Sequence, residues 1–240
     1  MECNKESQFL KTFTQFCIKN ESFISCRAFL FSTMVQLKIH QLSKRYGNQV
    51  VLDNLNFVIK KSVLGIAGSN GSGKSTLMRC ISGLIKPGKG TVTWTLDDLH
   101  MTPDKLNGKI GYVAPYIELY ESLSVTENIQ FIQDLKRNGS PIDQKDISEL
   151  LENFQAGTFS GKAYGDLSTG QRQRVKLAAA MVHDPLILFL DEPGSNLDVK
   201  GKNLIDEVVS RLSNRGKMIV IASNQADELS LCHEIIDLDT

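Results

Sequence analysis

The stretch "VLGIAGSNGSGKST", residues 63–76, decides the fold. Val63 to Ala67 form an apolar run with no polar alternation, as expected of a strand buried on both faces. Behind it, Gly68 to Ser75 match GxxxxGK[ST], and Leu77, Ile81 and Leu84 then recur on one face of a predicted helix. Glycines let successive backbone N–H groups turn inward as an anion nest, and the helix N-terminus adds its positive end. Gly68, Ser69, Asn70, Gly71, Ser72, Gly73, Lys74, Ser75 and Thr76 are therefore the expected phosphate cradle. Lys74 would reach the outer phosphates and Ser75 would ligate Mg²⁺. A flexible Gly/Ser turn is the plainer alternative, but the strand before and the helix after are the context a phosphate loop needs.

Outward from this loop, "IGYVA" (110–114), "LILFL" (186–190) and "MIVIA" (218–222) repeat the buried-strand pattern. Between the last two, Leu204, Ile205, Val208, Val209 and Leu212 fall at helical intervals that stop near Gly216. Strands alternating with helices predict a mostly parallel core sheet. Val35–Ile39, Leu55–Lys60 and "TVTWTL" (91–96) predict a small antiparallel sheet. Residues 117–166 lack strand patterns and read as a helical insertion. The expected class is α/β, a P-loop NTPase with a mostly parallel core sheet, a small antiparallel β subdomain and a helical subdomain.

Two strand ends carry polar groups where a ligand would meet an open α/β sheet. "LILFLDEP" ends on Asp191 and Glu192. Solvated carboxylates at a strand end are unremarkable alone, but beside a phosphate loop Asp191 can bind Mg²⁺ and Glu192 can polarise an attacking water. "IVIASNQADE" (219–228) stops at Ser223 and Asn224, an amide that can hydrogen-bond a phosphate oxygen but cannot take up a proton near neutral pH.

Composition narrows the class. Lys+Arg 27 balance Asp+Glu 27, which gives no electrostatic case for nucleic acid as a main partner. Five cysteines at irregular spacing suit a reducing compartment better than a disulfide framework. No stretch reaches the roughly 18 apolar residues of a membrane span, so a membrane role is expected to come through a partner. Residues 1–33 differ from the rest: they hold Cys3, Cys17 and Cys26 and six phenylalanines, with no clean period. The expected division is an extension over 1–33, non-native or disordered, and one domain over 34–240 beginning at Met34.

"LSTGQRQRVKLAAAM" begins at Leu167. Ser168 and Gln171 form an S-x-x-Q capping box, which explains a helix start but not Gly170 or Leu167. LSTGQ, "LILFLDEP" starting 19 residues later, and "GSNLD" behind it resemble the signature, Walker B and D-loop of ATP-binding cassette (ABC) ATPases. The resemblance covers residues 35–240. It implies that Tyr46 stacks on adenine and that Gly68 to Thr76 are the Walker A motif. It implies that Ser168, Thr169, Gly170 and Gln171 contact ATP held by a second subunit, and that Asp198 joins the two sites across the dimer. Two positions depart from the family pattern. Pro115 stands where the family has Gln, with Glu118 as either a substitute or a solvated loop carboxylate, and Asn224 stands where it has the switch histidine.

The resemblance further implies two subunits, expected to be identical, closing on two ATP with Mg²⁺. Separate transmembrane permease subunits would be driven from the cytoplasmic face of the cell membrane. The compact cassette resembles small exporter subunits of the haem-exporter type. A soluble ABC ATPase of an assembly complex, such as the iron–sulfur scaffold type, is the alternative.

Overall fold

The computed structural model describes residues 35–60, 62–106, 108–136, 144–195 and 197–239. The chain divides into the units Met1–Thr33 and Met34–Thr240. The expected extension over 1–33 and the Met34 start lie outside the described residues.

The strands are β1 (Val35–Tyr46), β2 (Gln49–Ile59), β3 (Val63–Ala67), β4 (Lys89–Leu96), β5 (Leu99–Met101), β6 (Ile110–Val113), β7 (Ile187–Asp191), β8 (Met218–Ala222) and β9 (Glu234–Asp237). The helices are α1 (Lys74–Ser82), α2 (Val125–Lys136), α3 (Gln144–Asn153), α4 (Thr169–Met181), α5 (Val199–Asn214) and α6 (Ala226–Leu229). Five strands form the core sheet in the order β6-β7-β8-β3-β9, and every pairing in it is parallel. The other sheet is antiparallel, β2-β1-β4-β5.

The core sheet has apolar layers on both faces because successive side chains along each strand point to opposite faces. Ile187, Phe189, Met218, Val220, Leu64 and Ile66 pack with α1 and the antiparallel sheet, around Trp94. Leu188, Leu190, Ile219 and Ile221 pack with α4, α5 and the helical region. Every residue of β3, β7 and β8 is buried. Burial at about 1.5–3 kcal/mol per large side chain anchors these strands in the core. Their carboxyl ends are where the polar residues begin.

Two strands escaped the sequence pattern, β5 and the short edge strand β9. The antiparallel strands also run longer than their alternation suggested, because Gln41 and Asn54 at positive φ mark the register shifts between β1 and β2. Leu84 needs correcting. α1 stops at Ser82, capped by Gly83 at φ 84, and Leu84 lies beyond it, 55% exposed. A Cβ at position 83 would meet the Pro103 backbone at 2.8 Å, so the chain turns there on a residue without one. Among the described residues between 117 and 166, α2 and α3 are followed by 3₁₀ turns at Gly157–Phe159 and Tyr164–Asp166.

Candidate functional site

The phosphate loop leaves β3 at Gly68 and enters α1 at Lys74. Gly68, Gly71 and Gly73 have φ of 145, 89 and 104, a region that side chains disfavour. Gly73 is doubly constrained, since a Cβ would lie 2.9 Å from Leu52 Cδ2 and 3.0 Å from the Val51 carbonyl of β2. Gly73 is also the N-cap of α1, and it supplies no side-chain bond to the first turn, which has no acidic residue either. The opening N–H groups of α1 are thus left for an outside anion. Lys74 is buried and donates to the carbonyls of Gly68 at 2.8 Å and Ser69 at 2.9 Å. Its ammonium closes the loop on itself and is placed to exchange carbonyls for phosphate oxygens. Ser69 is held from the neighbouring edge strand: its N–H and hydroxyl both donate to Asp239, just past β9, at 2.6 and 3.0 Å. Tyr46, at the end of β1, is half exposed with the Lys44 ammonium 5.4 Å from its ring centre, and it acts electrostatically on Arg79 of α1. An exposed ring beside α1 is available for stacking.

Asp191 ends β7, next to β8 in the sheet. It is 2% exposed and neither carboxylate oxygen has a hydrogen-bond partner of good geometry among the described residues. Burial raises its pKa; the nearby Ser75 hydroxyl opposes this, and Glu192 adds to it. An orphaned buried carboxylate beside a hydroxyl is a hard-oxygen donor set, the kind that suits Mg²⁺. Ser75 and Asp191 therefore fit the cation, which when bound would offset charge on the phosphates.

Glu192 has φ 48, one of few non-glycine residues in the left-handed region. Such a conformation costs on the order of 1–3 kcal/mol and persists only where the surroundings impose it. Its N–H donates to Ala222 at 2.8 Å, and its carbonyl accepts from the Ser195 hydroxyl at 2.7 Å. Asn224, two residues past β8, is exposed and donates from Nδ2 to Asn70 Oδ1 at 3.3 Å. The amide therefore contacts the phosphate loop itself.

The signature lies apart. Ser168 caps α4 and both bonds of the expected box form: Gln171 N–H to Ser168 Oγ at 3.4 Å, and Ser168 N–H to Gln171 Oε1 at 3.0 Å. Leu167 is buried while Ser168 and Thr169 face outward. Nothing local demands a glycine at 170, where a Cβ would meet only Leu197 Cδ2 at 3.9 Å. Among the described residues no hydrogen bond joins 168–171 to 68–76. Asp198 has a local task as the N-cap of α5, accepting from Gly201 at 2.8 Å.

Glu118 does not stand in for the missing Gln. Its carboxylate accepts from Lys176 of α4 at 2.6 Å and from the Tyr164 hydroxyl at 2.7 Å. Burial alone would raise its pKa, but those two partners hold it below the usual carboxylate range. The side chain that reaches α1 from this loop is Tyr116, overlooked in the sequence. It accepts from Arg79 Nε at 3.1 Å, lies 4.1 Å under the guanidinium and meets the Tyr112 hydroxyl at 2.9 Å.

A parallel sheet with a phosphate loop, buried carboxylate and strained glutamate at its carboxyl edge defines a P-loop ATPase. The ABC transporter family profile matches residues 52–195, and the chain belongs to that family as an ATP-binding cassette. It is 34% identical over 209 residues to a probable sulfate/thiosulfate import ATP-binding protein of Chlorella vulgaris, covering 85% of this chain and 88% of that one. Among solved structures it resembles the dimeric bacterial cassette MJ0796 (TM-score 0.75, 28% identity, 84% of this chain and 93% of that one). MJ0796 is also known with ADP and phosphate after hydrolysis. CbiO1 of Clostridium perfringens, part of the cbiONQ transporter complex, aligns at TM-score 0.70 and 29% identity over 84% of this chain and 83% of its own.

Proposed function

We propose that the chain is the ATP-hydrolysing subunit of a transporter whose membrane-spanning subunits are separate chains, and that it works as a symmetric pair closing on two ATP. The observation that carries this reading is the open space over Gly170, where a Cβ would meet only Leu197 Cδ2 at 3.9 Å. Glycine loses more conformational freedom on folding than any other residue, and among the described residues no neighbour requires it. Its use is to let a phosphate held by another copy approach the start of α4. A two-fold pair then completes both sites at once.

In each site Lys74 and the α1 N-terminus hold the phosphates, with Ser75 and Asp191 on Mg²⁺. Glu192 polarises the attacking water and Asn224 holds the outer phosphate in place without carrying a proton. Tyr46 receives the adenine, and Asp198 helps join the two sites. No described helix is long and apolar enough to cross a membrane, which supports attachment at the cytoplasmic face through a partner. The apolar groove lined by Leu84, Tyr112, Ile117, Leu119, Ile132 and Ala180 would receive that partner between the core and the helical region. An exporter assignment gains nothing from a relative named for sulfate/thiosulfate import, and the assembly-complex alternative draws no support from these relatives. We propose, too, that residues 1–33 stand outside the working domain.

The test is Glu192→Gln with saturating Mg·ATP, measured by light scattering. The variant should become dimeric on adding ATP and turn over at least about a hundredfold more slowly than wild type. A monomer at saturating nucleotide would overturn the pairing.

A further inference from the structure

α6 follows Asn224 almost directly and carries Glu228, a carboxylate only 5% exposed. Its Oε1 accepts the Gly194 N–H at 2.8 Å, while Oε2 has no hydrogen-bond partner of good geometry among the described residues. Burial raises its pKa, opposed by the Ser223 hydroxyl and the Gly194 N–H. A buried acid with half its bonding capacity unused is a poor choice for stability, because an apolar side chain of similar volume would serve the fold as well or better. Gly194 is fitted to it, since a Cβ there would lie 2.2 Å from Oε1.

What this contact holds is the turn after β7. Glu192 sits in that turn at φ 48. Its N–H is fixed to Ala222 and its carbonyl to Ser195, and the next carbonyl, Pro193, accepts from Gln173 of α4 at 3.0 Å. The Gly194 carbonyl is held locally by the Leu197 N–H at 3.2 Å, whereas the Gly194–Glu228 bond is a further tie that comes from the segment after β8. Without it a buried N–H loses its partner, the Pro193–Gly194 peptide can rotate, and Glu192 can relax toward negative φ. That rotation would swing its carboxylate off the position it needs. The same side chain belongs to the segment that carries Asn224, so one carboxyl links the two strand-end groups facing the phosphates.

We propose that Glu228 is a positioning residue for ATP hydrolysis, holding Glu192 in its left-handed conformation through the Gly194 N–H. This rests on the reading of Glu192 as the group that polarises water. Glu228 makes no hydrogen bond to residues 68–76 among the described residues, so it acts on rate rather than on nucleotide binding.

The experiment uses the full chain with Mg·ATP and reads kcat and KM separately. Glu228→Ala should lower kcat about tenfold, as misplacement of a reacting group does, with KM for ATP within about twofold. Glu228→Gln keeps an acceptor oxygen and should restore most of kcat. Gly194→Ala breaks the same contact from the other side and should reproduce the loss, which decides the matter if Glu228→Ala fails to fold. In a Glu192→Gln background, adding Glu228→Ala should cost nothing further. The proposal is overturned if kcat is unchanged in Glu228→Ala and Gly194→Ala, if Glu228→Gln is as slow as Glu228→Ala, or if the double variant is another tenfold slower. Full turnover by Glu192→Gln alone would instead sink the assignment of Glu192, a result read independently of Glu228.

Discussion

The phosphate loop and the signature are both glycine-containing turns that open a helix, yet the chain treats them in opposite ways. Around the loop several features have internal counterparts. Gly73 is pressed against Val51 and Leu52, Lys74 is bound to loop carbonyls, and Asp239 grips Ser69. At the signature only the cap is internal: Ser168 and Gln171 bond each other, and Gly170 touches almost nothing. A glycine forced by its own fold and a glycine left free by it differ in whom they serve. The first shapes this molecule, whereas the second leaves space for another.

The sharpest way to break that contrast is at the loop. Lys74→Ala removes the charged donor of the cradle and should weaken nucleotide binding by about 3 kcal/mol or more, on the order of a hundredfold. Titration with a fluorescent ATP analogue would show it, and unchanged affinity would refute the role of Lys74. Gly170→Asp should leave nucleotide binding intact and stop turnover, because a carboxylate would face the partner's phosphates. The two inactive variants, mixed in equal amounts, should recover roughly a quarter of wild-type ATPase, since half the dimers would then hold one wild-type site. No recovery would mean that the signature works within its own chain.

Smaller effects follow at the strand ends. Asn224→Ala removes one neutral hydrogen bond of about 1 kcal/mol and should slow turnover about fivefold with little change in ATP affinity. Asn224→His should be tolerated. Intact turnover in Asn224→Ala would reduce the amide to a tie on Asn70. Asp191→Asn addresses stability alone. Burial raises the folded pKa of Asp191 above its unfolded value, so its stabilising contribution is fully present below the ordinary carboxylate pKa and lost as pH rises through the raised one. Without Mg²⁺ the Tm of wild type should therefore fall relative to Asp191→Asn as pH rises above the ordinary carboxylate pKa. A difference that does not vary with pH would contradict the raised pKa.

What could be read from the sequence was local. The phosphate loop announced itself because a glycine at φ 104 and a helix start leave few other residue choices, and "MIVIA" because continuous apolar runs suit strands covered on both faces. The capping box was readable because its partners are three residues apart. The hidden parts depend on distant pairing. Ser69 and Asp239 are 170 positions apart, and Gly194 and Glu228 are 34 apart. Asn128 of α2 is buried and turns its amide to the carbonyls of Tyr120, Leu123 and Ser124. For Glu118 the pattern showed a loop carboxylate but not Lys176 facing it from 58 positions away. β9 is short and alternates exposure, so only its neighbour β3 reveals it as a core strand.

The position of β3 has a consequence for how the protein comes into being. The strand that delivers the phosphate loop is made early, but it lies between β8 and β9, whose residues come much later in the sequence. A nascent chain can form the antiparallel sheet from neighbouring segments, yet it has nothing to hold β3 flat until residues beyond 218 emerge from the ribosome. The ability to grip ATP therefore waits until the segments of β8 and β9 have been made.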